Sequence, residues 1–206
     1  MDNQIKAVID ADFFRKATEY DRGTKLFLHM LEDLNMQPVM HEFVAGTELQ
    51  HNQYLNKLLQ DGQITVIHYE DYLLDDLDKE EYKDYFFDAF DRINRYDFPK
   101  NEDIYRYSGK QESLGEIRSF YMAMKKGYRY FMSDDADSRQ LAKNFFSNKH
   151  VVEVESLYDI LVMCKEKGTD LTWKNINPTV SNAMNKRQDK IEKLRELYIT
   201  GEKVFE

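Results

Sequence analysis

Ala7-Val8-Ile9-Asp10-Ala11-Asp12 and, far along the chain, Tyr128-Arg129-Tyr130-Phe131-Met132-Ser133-Asp134-Asp135 are two short, mostly apolar runs that each end in paired carboxylates. Such a run, stopped by acids, reads as a buried parallel strand delivering carboxylates to its C-terminal edge, where open α/β sheets place their sites. A third acid, Glu116, stands at the start of a helical pattern that leads directly into the second run. Carboxylates gathered from separate segments repel one another, and a divalent cation is the usual means of holding them together. These residues predict a metal-dependent enzyme.

Outward from the two runs, strands and helices alternate. The spacing predicts a strand over Lys6 to Ile9, a turn or helix start around Phe13 to Ala17, and a helix over Lys25 to Leu34. A second strand follows over Pro38 to Val44, then a helix from Gly46 to Leu59 ended by Asp61-Gly62, and a β-branched third strand over Ile64 to Ile67. Glu70 to Tyr96 reads as one or two amphipathic helices and Pro99 to Gly109 as a loop. Ser113 to Lys126 is a helix whose apolar face is Leu114, Ile117, Phe120, Tyr121 and Met124, with Gly127 as its C-terminal stop. Strands over Tyr128 to Met132 and Val151 to Val154 alternate with helices over Ala136 to Ser147 and Ser156 to Lys167, and a last helix covers Val180 to Tyr198. This order implies a parallel sheet of about five strands with helices on both faces.

Composition narrows the class. With 206 residues, 42% hydrophobic and 33% charged, the chain can bury a full core and is neither disordered nor fibrous. No apolar stretch approaches the ~20 residues that cross a bilayer, and the N-terminal residues lack a signal-peptide pattern, so a soluble, cytoplasmic protein is expected. The single cysteine, Cys164, excludes an internal disulfide or a cysteine-rich zinc site and, lying in an apolar run, reads as a buried structural thiol. The five histidines are scattered without ligand spacing; only His41 falls near the predicted site. The net charge of -9 argues against nucleic-acid binding by the whole surface. It is concentrated between Glu70 and Asp103, with 13 acids against 5 bases, whereas Lys110 to the end has 17 bases against 15 acids. The late lysines and arginines from Lys174 to Arg195 could face a phosphate backbone, although a solvated mixed-charge face is the commoner use of such a run.

Each acid also has a purely structural reading. Asp10 could cap the next helix, Glu116 could complete a capping box with Ser113, and one of Asp134 and Asp135 could cap the helix after them. Two adjacent acids exceed what one cap requires. If the first strand ran on through Asp12, alternation would point Asp10 and Asp12 the same way.

Together, Gly115-Glu116-Ile117, Gly127, Phe131-Met132-Ser133-Asp134-Asp135 and Arg139 with Leu141-Ala142 resemble the second half of a PIN domain, and Val8-Ile9-Asp10-Ala11-Asp12 resembles its first strand. The resemblance covers about Lys6 to Leu157. It implies a three-layer α/β/α sandwich and Mg²⁺- or Mn²⁺-dependent phosphodiester hydrolysis of RNA or other single-stranded nucleic acid. On this resemblance Asp10, Glu116, Asp134 and Asp135 match the family's catalytic, metal-binding acids. Glu48 fits the metal-binding Glu after the second strand better than Glu42, and Arg139 is placed to touch a substrate phosphate. It further implies homodimers and, in toxin–antitoxin pairs, an inhibitory protein partner. The chain departs from a compact PIN domain in its acidic helical insertion at about 70–103 and in a C-terminal helical extension over 169–206. The domain proper then spans 1–168.

Two rivals differ in what they ask of the same acids. A haloacid-dehalogenase-like phosphohydrolase would use Asp10 as nucleophile and Asp12 as acid/base, with Ser133, Asp134 and Asp135 late in the chain. Phe14, Gly115-Glu116 and Arg139 do not fit that pattern. A PIN-like binding module would keep the acids without turnover.

Overall fold

The structure, a computed structural model, describes residues 4–19, 24–109, 113–145 and 151–200. Five strands, β1 (Ile5–Ile9), β2 (Met36–His41), β3 (Thr65–Ile67), β4 (Tyr130–Met132) and β5 (Glu153–Glu155), form one all-parallel sheet in the order β3-β2-β1-β4-β5. Helices cover both faces, giving a three-layer α/β/α sandwich. One layer holds α1 (Ala11–Glu19), α2 (Lys25–Asp33), α3 (Gln53–Gln60), α7 (Leu157–Glu166), α8 (Trp173–Ala183) and α9 (Gln188–Thr200). The other holds α4 (Asp76–Asn94), α5 (Leu114–Lys126) and α6 (Ala136–Asn144).

Strand alternation assigns the core. Ala7, Ile9, Met40, Tyr130 and Met132 pack into the first layer, while Val8, Val39 and Phe131 pack into the second. The chain winds outward from β1 through β2 to β3, then crosses to β4 and β5 on the other side. The winding therefore reverses beside β1, and the C-terminal ends of β1 and β4 are adjacent: Val8 pairs with Phe131, Ile9 with Met132, and the Asp10 N–H donates to the Met132 carbonyl at 3.1 Å. That crevice is where ligands bind in open α/β sheets.

Both departures from a compact domain are built into the core. The acidic segment forms a 3₁₀ turn (Tyr69–Asp71) and α4, which buries Tyr82, Tyr85, Phe86, Ala89 and Phe90 and sends its carboxylates outward. Beyond Gly168, Leu171, Ile176, Val180, Leu194 and Tyr198 join the same apolar cluster as Phe13 and Leu26. The tail is two helices rather than one, and α8 begins before Pro178 because burial of Ile176 outweighs the lost backbone donor. The second strand ends at His41, short of Val44, and the helix expected from Gly46 divides into a π-helical turn (Val44–Glu48) and α3. Asn52 forces that division by capping α3, its Oδ1 accepting from the Tyr54 and Leu55 N–H groups. The end of the helix expected through Ser147 lies outside the described residues.

Candidate metal and active site

β1 stops at Ile9 and α1 starts at Ala11, so Asp10 is the single link between strand and helix. It is 1% exposed. Ser133 Oγ donates to Asp10 Oδ2 at 3.2 Å and itself accepts from Ser138 Oγ at 2.8 Å, so a serine relay fixes one carboxylate oxygen. The other, Oδ1, is buried with no hydrogen-bond partner. An orphaned carboxylate oxygen costs on the order of 1–3 kcal/mol or more unless something satisfies it. Burial first, then the neighbouring Glu48 carboxylate, push the Asp10 carboxyl up to about 7.

Glu48 ends the π-helical turn after β2. Its carboxylate accepts from the Gly115 N–H, and its backbone carbonyl accepts from Arg15 Nη2 at 2.6 Å. Burial raises its pKa, and the Arg15 and Arg118 guanidiniums oppose that rise. The approach to Gly115 is close: a Cβ there would stand 2.6 Å from Glu48 Oε1. The glycine before Glu116 is thus the space that admits Glu48.

Glu116 lies in the first turn of α5. Ser113 is left-handed and donates to Asp137 Oδ2 at 2.6 Å, so the expected capping box does not form. Burial, then Asp10, push the Glu116 carboxyl up to about 9, with further repulsion from Glu48 and Asp135. At neutral pH the site therefore holds protons.

The paired acids after β4 divide. Residues beyond a strand keep alternating, so Ser133 and Asp135 turn to the α5 side and Asp134 to the α1 side. Asp135 caps α6 by accepting from the Asp137 N–H, and lines the same cleft as Glu48 and Glu116. Asp134 Oδ2 faces Lys16 Nζ at 3.5 Å, and its Oδ1 accepts from the Leu157 N–H at the start of α7. Asp12 is on α1 and is held by Lys16 Nζ at 2.6 Å, because the strand does not continue to it. Arg139 is exposed and donates to the Asp134 carbonyl, outside the cleft.

The cleft has a volume of about 530 Å³ and is lined by Asp12, Arg15, Glu48, Glu116 and Asp135 among others. Asp10 is buried alongside, close enough that Glu48 raises its pKa and that it raises the pKa of Glu116. Arg15 is the cation facing this space, a role that nothing in its spacing announced. Arg118 is fully buried on α5; it donates to the Ile104 and Tyr107 carbonyls at 2.8 Å and lies 3.9 Å above the Phe43 ring. His41 is structural: burial and Arg118 press it down to about 3, and its ring hydrogen-bonds Tyr72 and the Phe43 N–H. Cys164 is buried and pushed up to about 12 by burial, an inert thiol.

Among the described residues, one trio brings three metal-type ligand atoms within 4.8 Å of one another, Glu42, His68 and Glu70. Its closeness is that of an ion pair, since His68 Nδ1 meets Glu42 Oε2 at 2.7 Å on an exposed surface. No three of the sheet-edge acids bring ligand atoms within 4.8 Å of one another among the described residues. No family model, curated protein or solved structure matches this chain.

Proposed function

We propose that this chain is a metal-dependent nuclease of PIN type that hydrolyses phosphodiesters of single-stranded RNA at the cleft holding Asp10, Glu48, Glu116 and Asp135. The observation that carries this reading is the orphaned Asp10 Oδ1, buried beside acids that burial and mutual repulsion drive toward protonation. A protein gains nothing in stability from that arrangement alone, whereas a cation site requires it.

Carboxylate oxygens with no cysteine or histidine among them suit Mg²⁺ or Mn²⁺. When bound, such an ion supplies a more nucleophilic water and neutralises charge developing on the phosphate. The chain's own residues prepare for this. Ser133 locks one oxygen of Asp10 and leaves the other buried without a hydrogen bond. Gly115 and Arg15 anchor Glu48. Arg15 adds a guanidinium for a phosphate oxygen, the contact first assigned to Arg139. Asp134, with Lys16 and the start of α7, supports the strand end from the opposite side.

The phosphohydrolase alternative needs Asp12 beside Asp10 as a free acid/base; Asp12 lines the cleft but is paired with Lys16 at 2.6 Å. The test is cleavage of end-labelled single-stranded RNA during Mn²⁺ titration. Cleavage that Asp10→Asn abolishes and Asp12→Asn retains supports the nuclease. An aspartyl-phosphate trapped on Asp10, or metal binding without turnover on any nucleic acid, sinks it.

A further inference from the structure

A second cavity, about 680 Å³, adjoins the acidic cleft and shares Phe43 and Thr47 with it. Its walls come from the segments that enlarge the fold, the Tyr69–Asp71 turn, α4 and the loop around Asp103 to Arg106. They combine aromatic surface with a small set of polar groups, the composition of a small-ligand site. Tyr69 is held by edge contacts with His41 and Tyr105, and Tyr105 stacks on Tyr82 at 5.5 Å, so both rings are fixed before any ligand arrives.

The polar groups differ in how far they are already engaged. Glu42 has both oxygens occupied, by His68 and the Tyr69 N–H, and Asp103 Oδ1 accepts from the Tyr105 N–H. Glu70 takes no hydrogen bond among the described residues, and neither does the Arg106 guanidinium. Lys79, also in the lining, is held by Asp76 at 3.3 Å. The cavity therefore presents tyrosine rings, the Glu70 carboxylate beside His68, the second Asp103 oxygen and the Arg106 guanidinium. A carboxylate only accepts, and takes two parallel N–H groups best. Guanine alone among the RNA bases offers two adjacent donors on its pairing edge, N1–H and N2–H₂. Uracil offers one donor between two acceptors, and adenine and cytosine set an acceptor beside the amino group. Single-stranded RNA is read in this way, by aromatic surface and pairing-edge hydrogen bonds.

We infer that the cavity between Tyr69, Tyr105 and Arg106 is a guanine-binding site, with Glu70 taking the N1–H and N2–H₂ edge and Arg106 the attached phosphate. If the base belongs to the strand being cut, the site rests on the nuclease reading and sets a guanine beside the scissile phosphate. A free guanine nucleotide offers the same chemistry.

The experiment is calorimetric titration of the full chain carrying Asp10→Asn, in EDTA, with GMP, AMP, CMP and UMP. The expected result is saturable GMP binding at least 10-fold tighter than UMP. Glu70→Gln, an exposed change, should bring GMP down to the level of UMP and leave UMP unchanged, while Arg106→Ala should weaken all four alike. Absence of saturable binding, or equal affinities untouched by Glu70→Gln, overturns the inference. The pentanucleotide UUGUU separates the sources: binding at least 10-fold tighter than GMP places the base in a strand, and equal or weaker binding identifies the free nucleotide. No cation or cleavage enters these measurements, so a chain that selects GMP but cuts nothing loses only the nuclease reading.

Discussion

Asp134 and Asp135 are neighbours in the chain, yet they face two sides of the sheet edge whose acids are engaged differently. On the α1 side, Asp134 faces Lys16, which also holds Asp12 at the edge of the cleft, and Asp134 receives an N–H from α7. On the α5 side, Glu48, Glu116 and Asp135 line the cleft, and Asp10, buried behind them, keeps one oxygen unpaired. The first set already has its counter-charge in Lys16, although Asp134 Oδ2, like Asp10 Oδ1, accepts no hydrogen bond. The second keeps an oxygen without a partner, which the proposed cation would satisfy. Counting acids would rank the two sides alike; what separates them is whether each charge already has its partner.

Removing acids on each side should break the symmetry most strongly. Asp10→Asn or Glu116→Gln is expected to lower Mn²⁺-dependent RNA cleavage by about 10³-fold or more, roughly 4 kcal/mol of transition-state stabilisation. Asp12→Asn should cost less than about 10-fold, measured as kcat/KM on the same substrate. Comparable losses on both sides would abolish the distinction.

Gly115→Ala tests the α5 side through packing. In an ordinary helix this change gains about 1 kcal/mol. Here the added Cβ would press on the Glu48 carboxylate, so the protein should lose about 1–3 kcal/mol in urea denaturation and about 100-fold in cleavage. A stabilised, active variant would show that Glu48 does not occupy this position.

Titration follows from the same contrast. Asp10 and Glu116 are raised from ordinary carboxylate values to about 7 and about 9, so between about pH 4 and those values the unfolded chain releases protons that the folded chain retains. Stability without cation should therefore fall as pH rises from about 4 to 9. Melting temperatures across that range should decline, and Asp10→Asn should flatten the decline and raise the melting temperature at pH 8 by about 5 °C. A rise with pH would contradict the assignment of buried, protonated acids.

The smallest effect belongs to the satisfied side. Lys16→Met should destabilise by about 1–2 kcal/mol, because Asp134 is partly buried and loses its cation, while cleavage changes little.

The sheet was legible because each central strand is an apolar run ended by a residue that cannot stay buried without help. Asp10 and Glu116 were legible for the same reason. The separation of Asp134 from Asp135 is readable too, since alternation past Met132 sends neighbours to opposite sides. Glu48 was found by its place after the second strand, although its π-helical setting depends on Asn52 capping the following helix. Arg15 and Arg118 had no signature, because nothing in a sequence marks which arginine is enclosed by aromatic rings and loop carbonyls. The break between α8 and α9 escaped notice because the charged pattern runs through it without a glycine or proline at the junction.

Arg118 hangs two carbonyls of the 104–107 loop from α5, the helix that carries Glu116 in its first turn. Lifting that loop would strip a buried guanidinium of its acceptors, so the rim of the outer cavity and the start of α5 should open as one cooperative unit. Amide exchange at Arg106 and Tyr107, whose N–H groups bond the Asp103 carbonyl, should then slow when the acidic cleft is filled. By thermodynamic reciprocity, whatever occupies one compartment would tighten the hold on what occupies the other.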